Sequence, residues 1–284
     1  MSARRLRLWV ATLLAVTVAS SATARCAESA DACEIEGGSY HAVLPETGPP
    51  KGALMFLHGW GSSGQGSLRL SGMVRTFNAA GYVVIAPNGM PRQGRSGGSW
   101  SFHPDWPKAR DEIAFLQDVK RDAAARFGFD PDMVLLSGFS IGGSMTSYAA
   151  CAAPEAFAAY APVGGGFWRP HPQGCAGPVR VLHTHGWSDG TVPLEGRAVR
   201  GADARDPDAV VQGDIFAGLD IWRQTNGCRN HMPQERSTDA LFWTRIWTDC
   251  TPGSALSFAL HPGGHAVPRG WAEMALAWFE RPEG

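Results

Sequence analysis

Three residues of this chain, Ser140, Asp189 and His265, have the types and the order needed for acyl transfer through a serine. Ser140 is the centre of Gly138-Phe139-Ser140-Ile141-Gly142, preceded by the apolar run Met133 to Leu136 and followed by small, helix-tolerant residues. A strand, a sharp turn and a helix in that order form a nucleophile elbow, which holds a serine exposed in a strained conformation. Glycines flank it because a side chain there would collide across so tight a turn. The bare pattern occurs twice more, around Ser96 and Ser188. Gly94 to Gly98 lies in a Pro/Gly/Arg/Ser stretch with no strand ahead of it. Gly186 to Gly190 follows a strand-like run, but Pro193 and Gly196 stand where a helix would have to begin and continue.

Asp189 closes the run Val179 to His185, and His265 follows the run Leu256 to Leu260 inside Pro262-Gly263-Gly264-His265. Serine, then acid, then histidine is the chain order expected when such an elbow sits on a parallel sheet. The histidine would take the hydroxyl proton and return it to the leaving group, and the acid would hold the imidazole tautomer. The bland alternatives are an Asx-turn carboxylate at Asp189 and a solvated loop histidine at His265. Two backbone N–H groups should meet the negative oxygen that develops. One would come from Ile141, directly after the nucleophile, and one from Trp60 in the loop His58-Gly59-Trp60-Gly61.

The elements that must position these residues alternate. Strand runs are expected over Lys51–His58, Tyr82–Ala86, Met133–Leu136, Phe157–Val163, Val179–His185, Phe242–Thr248 and Leu256–Leu260. Helical spacing covers Leu68–Ala80, Asp111–Phe127, Ile215–Gln224 and Trp271–Phe279. Alternation of this kind predicts an α/β protein, a mostly parallel central sheet with helices on both faces, in a single domain.

Arg4, Arg5 and Arg7, the apolar stretch Leu8 to Val18 and then Ala22-Thr23-Ala24 have the order of a secretory signal peptide. The chain thus divides into a leader over 1–24 and a catalytic domain over 25–284, secreted or periplasmic. The apolar stretch is short for a membrane span, so no integral membrane association is expected. Net charge is −1 with no basic run after the leader, which offers no footprint for nucleic acid. The six cysteines in an exported chain read as disulfides, and their spacing suggests neighbours in order: 26–33, 151–175 and 228–250. No cofactor motif is found, and the oligomeric state is not readable.

Taken together, these residues resemble the α/β-hydrolase esterases grouped with polyhydroxybutyrate depolymerases and feruloyl esterases, over roughly residues 37–280. The resemblance rests on HGWG at 58–61, Asp111 to Leu116, GFSIGGSM at 138–145, AYAPVGGG at 159–166, HGWSDGTVP at 185–193 and GGHAVP at 263–268. It implies the α/β-hydrolase fold and a serine esterase acting on polyhydroxyalkanoate-type or feruloyl esters through an acyl-enzyme. The chain departs from the family at Asp111-Glu112, where paired aspartates are usual. It departs again at Ala266-Val267-Pro268, where a tryptophan often follows the histidine.

The stretch Gly89 to Arg110 is long for a loop and carries Trp100, Phe102, His103 and Trp106. These aromatics, with Trp187 beside the acid, are expected to wall a cleft for a phenolic ester or a flat polyester segment. The alternative is that they pin a surface loop. A serine peptidase or acyltransferase would use the same three residues. A metal site built from His183, His185, His261 and His265 lacks carboxylate or cysteine ligands at suitable spacing. A non-catalytic polymer-binding protein would have no need for the filled Ser, Asp and His positions.

Overall fold

The computed structural model describes residues 26, 31–199, 201–206 and 209–281. The expected leader over 1–24 lies outside the described residues. In chain order the strands are β1 (Cys33–Ile35), β2 (Gly38–Val43), β3 (Gly52–Leu57), β4 (Tyr82–Pro87), β5 (Met90–Pro91), β6 (Gly98–Ser99) and β7 (Val134–Phe139). They continue with β8 (Ala159–Val163), β9 (Arg180–Gly186), β10 (Arg197–Ala198), β11 (Val211–Gln212), β12 (Glu235–Thr238), β13 (Trp243–Trp247) and β14 (Ala255–His261). The helices are α1 (Gly64–Ser67), α2 (Ser71–Ala79), α3 (Glu112–Phe127), α4 (Ile141–Ala152), α5 (Ile215–Thr225) and α6 (Trp271–Phe279).

Ten strands form one sheet in the order β1-β2-β4-β3-β7-β8-β9-β14-β13-β12. The stretch from β4 to β14 is parallel throughout. An antiparallel hairpin closes each edge, β1–β2 against β4 and β12–β13 against β14. The parallel strands read as unbroken apolar runs because both of their faces are covered. Side chains alternate between those faces with period 2, so each strand feeds two separate cores. Ala53, Met55 and Leu57 join one core with Val83, Ile85, Leu136 and Val181, under α3, α4 and α5. Leu54 and Phe56 join the other with Val84, Leu135 and Leu182, under α2 and α6.

Helix boundaries have local causes. Asp111 caps α3 by accepting a hydrogen bond from Ala114 N–H at 3.1 Å, and Gly128 ends it at φ 74°. Asp214 caps α5 in the same way, from Phe216 and Ala217 N–H. Disulfides join Cys26 to Cys33, Cys151 to Cys175 and Cys228 to Cys250. Among the described residues no helix is long and apolar enough to cross a membrane.

Candidate active site

The chain leaves β3 for β4 on one side and then crosses back, through α3, to β7 on the other. Such a reversal opens a crevice at the carboxyl ends of the central strands, where open parallel sheets bind ligands. The loops leaving β3 and β7 are His58–Gly61 and the turn at Ser140. Ser140 has φ 60° and ψ −121°, the one non-glycine residue with positive φ among the described residues. That conformation costs about 1–3 kcal/mol and persists only where the surroundings enforce it. Here Ser140 N–H donates to Val163 O at 2.9 Å, and Ser144 N–H to Ser140 O at 2.9 Å. The close approach needs glycine on both sides. A Cβ on Gly138 would lie 2.5 Å from Gly142 O, and one on Gly142 would lie 2.4 Å from Leu57 O.

His265 stands over the elbow with Nε2 2.9 Å from Ser140 Oγ and Nδ1 2.7 Å from Asp189 Oδ2. Its ring packs against Phe139, centroid to centroid 4.6 Å. Asp189 is buried, and its second oxygen, Oδ1, accepts hydrogen bonds from Thr191 N–H (2.9 Å) and Val192 N–H (2.8 Å). Burial works to raise its pKa, but the bonds from His265 and the two backbone amides outweigh it and hold the carboxyl below its ordinary range. The acid is therefore ionised, and among the described residues its Oδ2 meets only the His265 imidazole at hydrogen-bond distance.

Ile141 opens α4, so its N–H lies in the first turn, where no intrahelical partner exists. Across the crevice, a Cβ on Gly59 would sit 3.4 Å from Ser140 Cβ, which shows how closely the β3 loop covers the Ser140 side chain. In that loop Gly61 N–H donates to Gly98 O and Ser62 N–H to Gly59 O, while the Trp60 amide has no backbone partner among the described residues. A cleft of 610 Å³ opens between the two loops, lined by Trp60, Leu70, Phe139, Ser140, His265 and Val267 among others. Trp60 is 60% exposed, and the guanidinium of Arg92 lies 4.3 Å from the centre of its ring.

The geometry brings Ser140, Asp189, His265, Trp60 and Ile141 together. It does not bring the expected aromatic wall with them, and that expectation is corrected. Trp100 is 3% exposed, with Nε1–H donating to His58 O at 2.9 Å. Phe102 is 7% exposed and packs with Trp106, Tyr148 and Trp168. Trp106 stacks on His103 at 4.8 Å and belongs to the same cluster. These rings fill the space between their loop and α4, because burying an aromatic of that size against other rings is favoured over leaving it wet. The loop is also less irregular than its composition suggested, since β5 and β6 pair within it as a short hairpin. Trp187 is 59% exposed but leans on Trp243 at 6.1 Å, and it is not among the residues lining the cleft.

Trp60 stands in the cleft with its side chain as well as its amide, a role the sequence reading did not assign. Thr191 and His58 are further lining residues outside that reading. Their signal was present only as position within HGWG and HGWSDGTVP. Among the histidines weighed as metal ligands, His183 Nε2 lies 3.1 Å from His185 Nδ1, and His185 Nε2 lies 2.8 Å from Val192 O. Among the described residues no three His, Cys, Asp or Glu side chains converge to hold a metal ion.

A doubly covered parallel sheet with a serine on a strained strand-to-helix turn and an acid–histidine pair above it defines an α/β-hydrolase. The chain belongs to the phospholipase/carboxylesterase family, which it matches over residues 39–200. It is 27% identical over 190 residues to feruloyl esterase B of Piromyces equi, across 61% of this chain and 32% of that protein. It is 30% identical over 248 residues to NocK of Nocardia uniformis subsp. tsuyamanensis, a protein named as an esterase, across 80% of this chain and 68% of the relative. The chain thus spans about a third of the first relative's length and about two thirds of the second's. The acetyl xylan esterase from Aspergillus awamori superposes with a TM-score of 0.60 at 17% identity, covering 86% of this chain and 94% of that one. For a carboxylesterase from Mesorhizobium loti the values are 0.58, 16%, 88% and 99%. At those identities the likeness is one of fold.

Proposed function

We propose that the chain is a serine carboxylic ester hydrolase. The observation that carries this reading is the hydrogen-bonded series Ser140, His265, Asp189 beneath an open cleft. In the first half-reaction His265 Nε2 takes the Ser140 hydroxyl proton as Oγ bonds to the ester carbonyl carbon. The Asp189 carboxylate stabilises the imidazolium, and the amides of Trp60 and Ile141 receive the oxyanion. Collapse expels the alcohol, which takes the proton from His265 and leaves an acyl-enzyme. Water then repeats the sequence and frees the acid.

Of the two ester types implied by the resemblance, the feruloyl or other aromatic ester is favoured over the polyhydroxyalkanoate. Support comes from the exposed indole of Trp60 in the cleft and from the name of the Piromyces relative. Export is part of the proposal. Three disulfides among the described cysteines suit an oxidising compartment, as the leader-like residues 1–24 do.

Turnover of a short p-nitrophenyl ester by wild type and by Ser140→Ala tests the reaction, with organophosphonate labelling to locate the nucleophile. The expected outcome is activity lost with Ser140 and the adduct on Ser140. Full activity in Ser140→Ala, or an adduct on Ser188 or Ser96, overturns it. A panel of aryl cinnamates, hydroxybutyrate oligomers and acetylated sugars tests the substrate class. Preference for hydroxybutyrate oligomers would refute the aromatic assignment.

A further inference from the structure

The amide assigned to the oxyanion from the β3 side is not free to turn, and the residues that hold it lie outside the reacting set. The peptide joining Gly59 to Trp60 is planar and trans, so its C=O and N–H point in opposite directions. Whatever fixes Gly59 O therefore aims Trp60 N–H. Gly59 O lies 2.8 Å from His58 Nδ1. The other ring nitrogen, Nε2, is 2.9 Å from the N–H of Gly89. A backbone amide can only donate, so Nε2 is the acceptor and the ring proton sits on Nδ1, pointing at Gly59 O. Burial lowers the pKa of His58, the Gly59 carbonyl opposes this, and Arg110 lowers it further. The ring is a neutral bracket between two backbone segments.

The preceding peptide is held as firmly. His58 O accepts Trp100 Nε1–H at 2.9 Å, and on its other side a Cβ on Gly142 would come within 2.7 Å of it. The Trp100 ring also lies against the His58 ring, centroids 5.0 Å apart. Trp100 is in turn mounted on a buried ion pair. Ser101 N–H donates to Glu112 Oε1 at 3.1 Å, and Glu112 Oε2 accepts from Arg110 Nε (3.0 Å) and Nη2 (2.6 Å). Arg110 reaches on to Gly37 O (2.9 Å) and Asn88 O (3.3 Å). Asn88 Oδ1 receives Gly64 N–H at 2.8 Å, at the far end of the same loop.

We propose that His58 and Trp100 are positioning residues for the oxyanion amide of Trp60, supported from behind by the Arg110–Glu112 pair. This rests on the ester hydrolase reading, and it explains why an indole from a distant loop is buried under the β3 loop rather than placed in the cleft. A positioned amide acts only when charge develops on the carbonyl oxygen, so its loss lowers kcat and spares KM. Outright loss of one oxyanion donor costs about 10²–10³ in kcat, and a misaimed donor costs part of that.

Trp100→Phe keeps a ring in place and removes only the donor to His58 O. Its kcat on a short p-nitrophenyl ester should fall about tenfold with KM unchanged. His58→Asn can place an amide N–H near the site of Nδ1, whereas His58→Gln mimics Nε2. His58→Gln should therefore lose about 100-fold in kcat and His58→Asn less than about tenfold. The affinity for phenylboronic acid, whose adduct on Ser140 is tetrahedral, should fall by the same factors. A kcat within about twofold of wild type in Trp100→Phe and His58→Gln, with boronate affinity unmoved, overturns the proposal. So does a rise in KM alone. Should His58→Gln fail to fold, Trp100→Phe decides. Loss of activity in Ser140→Ala alongside normal positioning variants would defeat this inference and leave the reaction assignment standing. Activity surviving in Ser140→Ala would defeat the assignment itself.

Discussion

Replacing Asp189 with Asn tests the catalytic reading most directly, because the surroundings of this carboxylate dictate how the amide must sit. Oδ1 accepts two backbone N–H groups, from Thr191 and Val192, while Oδ2 accepts only His265 Nδ1. The Asn side chain has one acceptor oxygen. Placed at Oδ1 it keeps both backbone bonds, but its NH2 then faces His265 Nδ1, which must become an acceptor. The imidazole proton moves to Nε2, directed at Ser140 Oγ, and the ring can no longer take the serine proton. Turning the amide round restores the tautomer but sets the NH2 against two backbone donors, that of Val192 buried and that of Thr191 partly so. Leaving each unpaired costs about 1–3 kcal/mol, so the productive rotamer lies about 2–6 kcal/mol higher. At about 1.36 kcal/mol per tenfold, the working fraction is between about 1/30 and about 1/25,000. The kcat for a p-nitrophenyl ester should drop by a factor in that range, with KM little changed. The melting temperature should fall only slightly, because both backbone bonds survive and only the part of their strength that came from the carboxylate charge is lost. A kcat within tenfold of wild type in a folded variant would refute the proposed role of Asp189.

Trp60→Ala should raise KM for aryl esters more than for alkyl esters, since only aryl groups lose about 1 kcal/mol of ring contact beyond burial. Trp187→Ala should treat the two series alike, and the reverse pattern in matched kinetics would restore Trp187 as the aromatic wall. Ser140→Gly should melt higher than Ser140→Ala, because glycine adopts φ 60° without the cost of about 1–3 kcal/mol that alanine keeps. Calorimetry showing the opposite order would mean the elbow is unstrained. Replacing Cys151 and Cys175 together should cost about 3 kcal/mol, from the length of the loop they close, as read by urea unfolding. Asp189 has a depressed pKa, so its contribution to stability is present above the ordinary carboxylate range and lost only as pH falls through the lowered value. Acid unfolding should therefore set in below the ordinary carboxylate range. Circular dichroism lost within or above that range would contradict this.

The parts of this site that were legible in the sequence are those whose cause is local along the chain. The elbow needs a strand, two glycines and a helix within a few residues of Ser140, and composition alone records all of them. Trp271–Phe279 was legible to the residue because its apolar face repeats with the helical period. Leu68–Ala80 was not. Ser63 Oγ caps a separate short turn, α1, and α2 starts only at Ser71, since Leu70 leaves the helical backbone at φ −70° and ψ 64°. The edge strands β1 and β12 were missed for want of pattern. One is three residues long, and the other, Glu235–Thr238, is exposed at every position and carries no apolar alternation.

Side-chain direction was the larger gap. Trp100 and Trp60 are the same residue type in glycine-rich loops of similar composition, and the sequence reading sent the first to the cleft and used only the amide of the second. The structure exchanges their side chains for a physical reason. His58 O lies beneath the surface and needs a donor, and Trp100 Nε1–H is the group that reaches it. A buried acceptor left without a partner costs about 1–3 kcal/mol, enough to draw an indole inward from a loop 42 residues further along the chain. Among the described residues Trp60 has no such partner for its ring N–H, and the ring stays exposed in the cleft beside Arg92. Each assignment depends on a group far away in sequence, and nothing near either tryptophan encodes it. An aromatic-rich loop beside an active site is therefore as consistent with bracing the backbone that does the chemistry as with binding what is transformed.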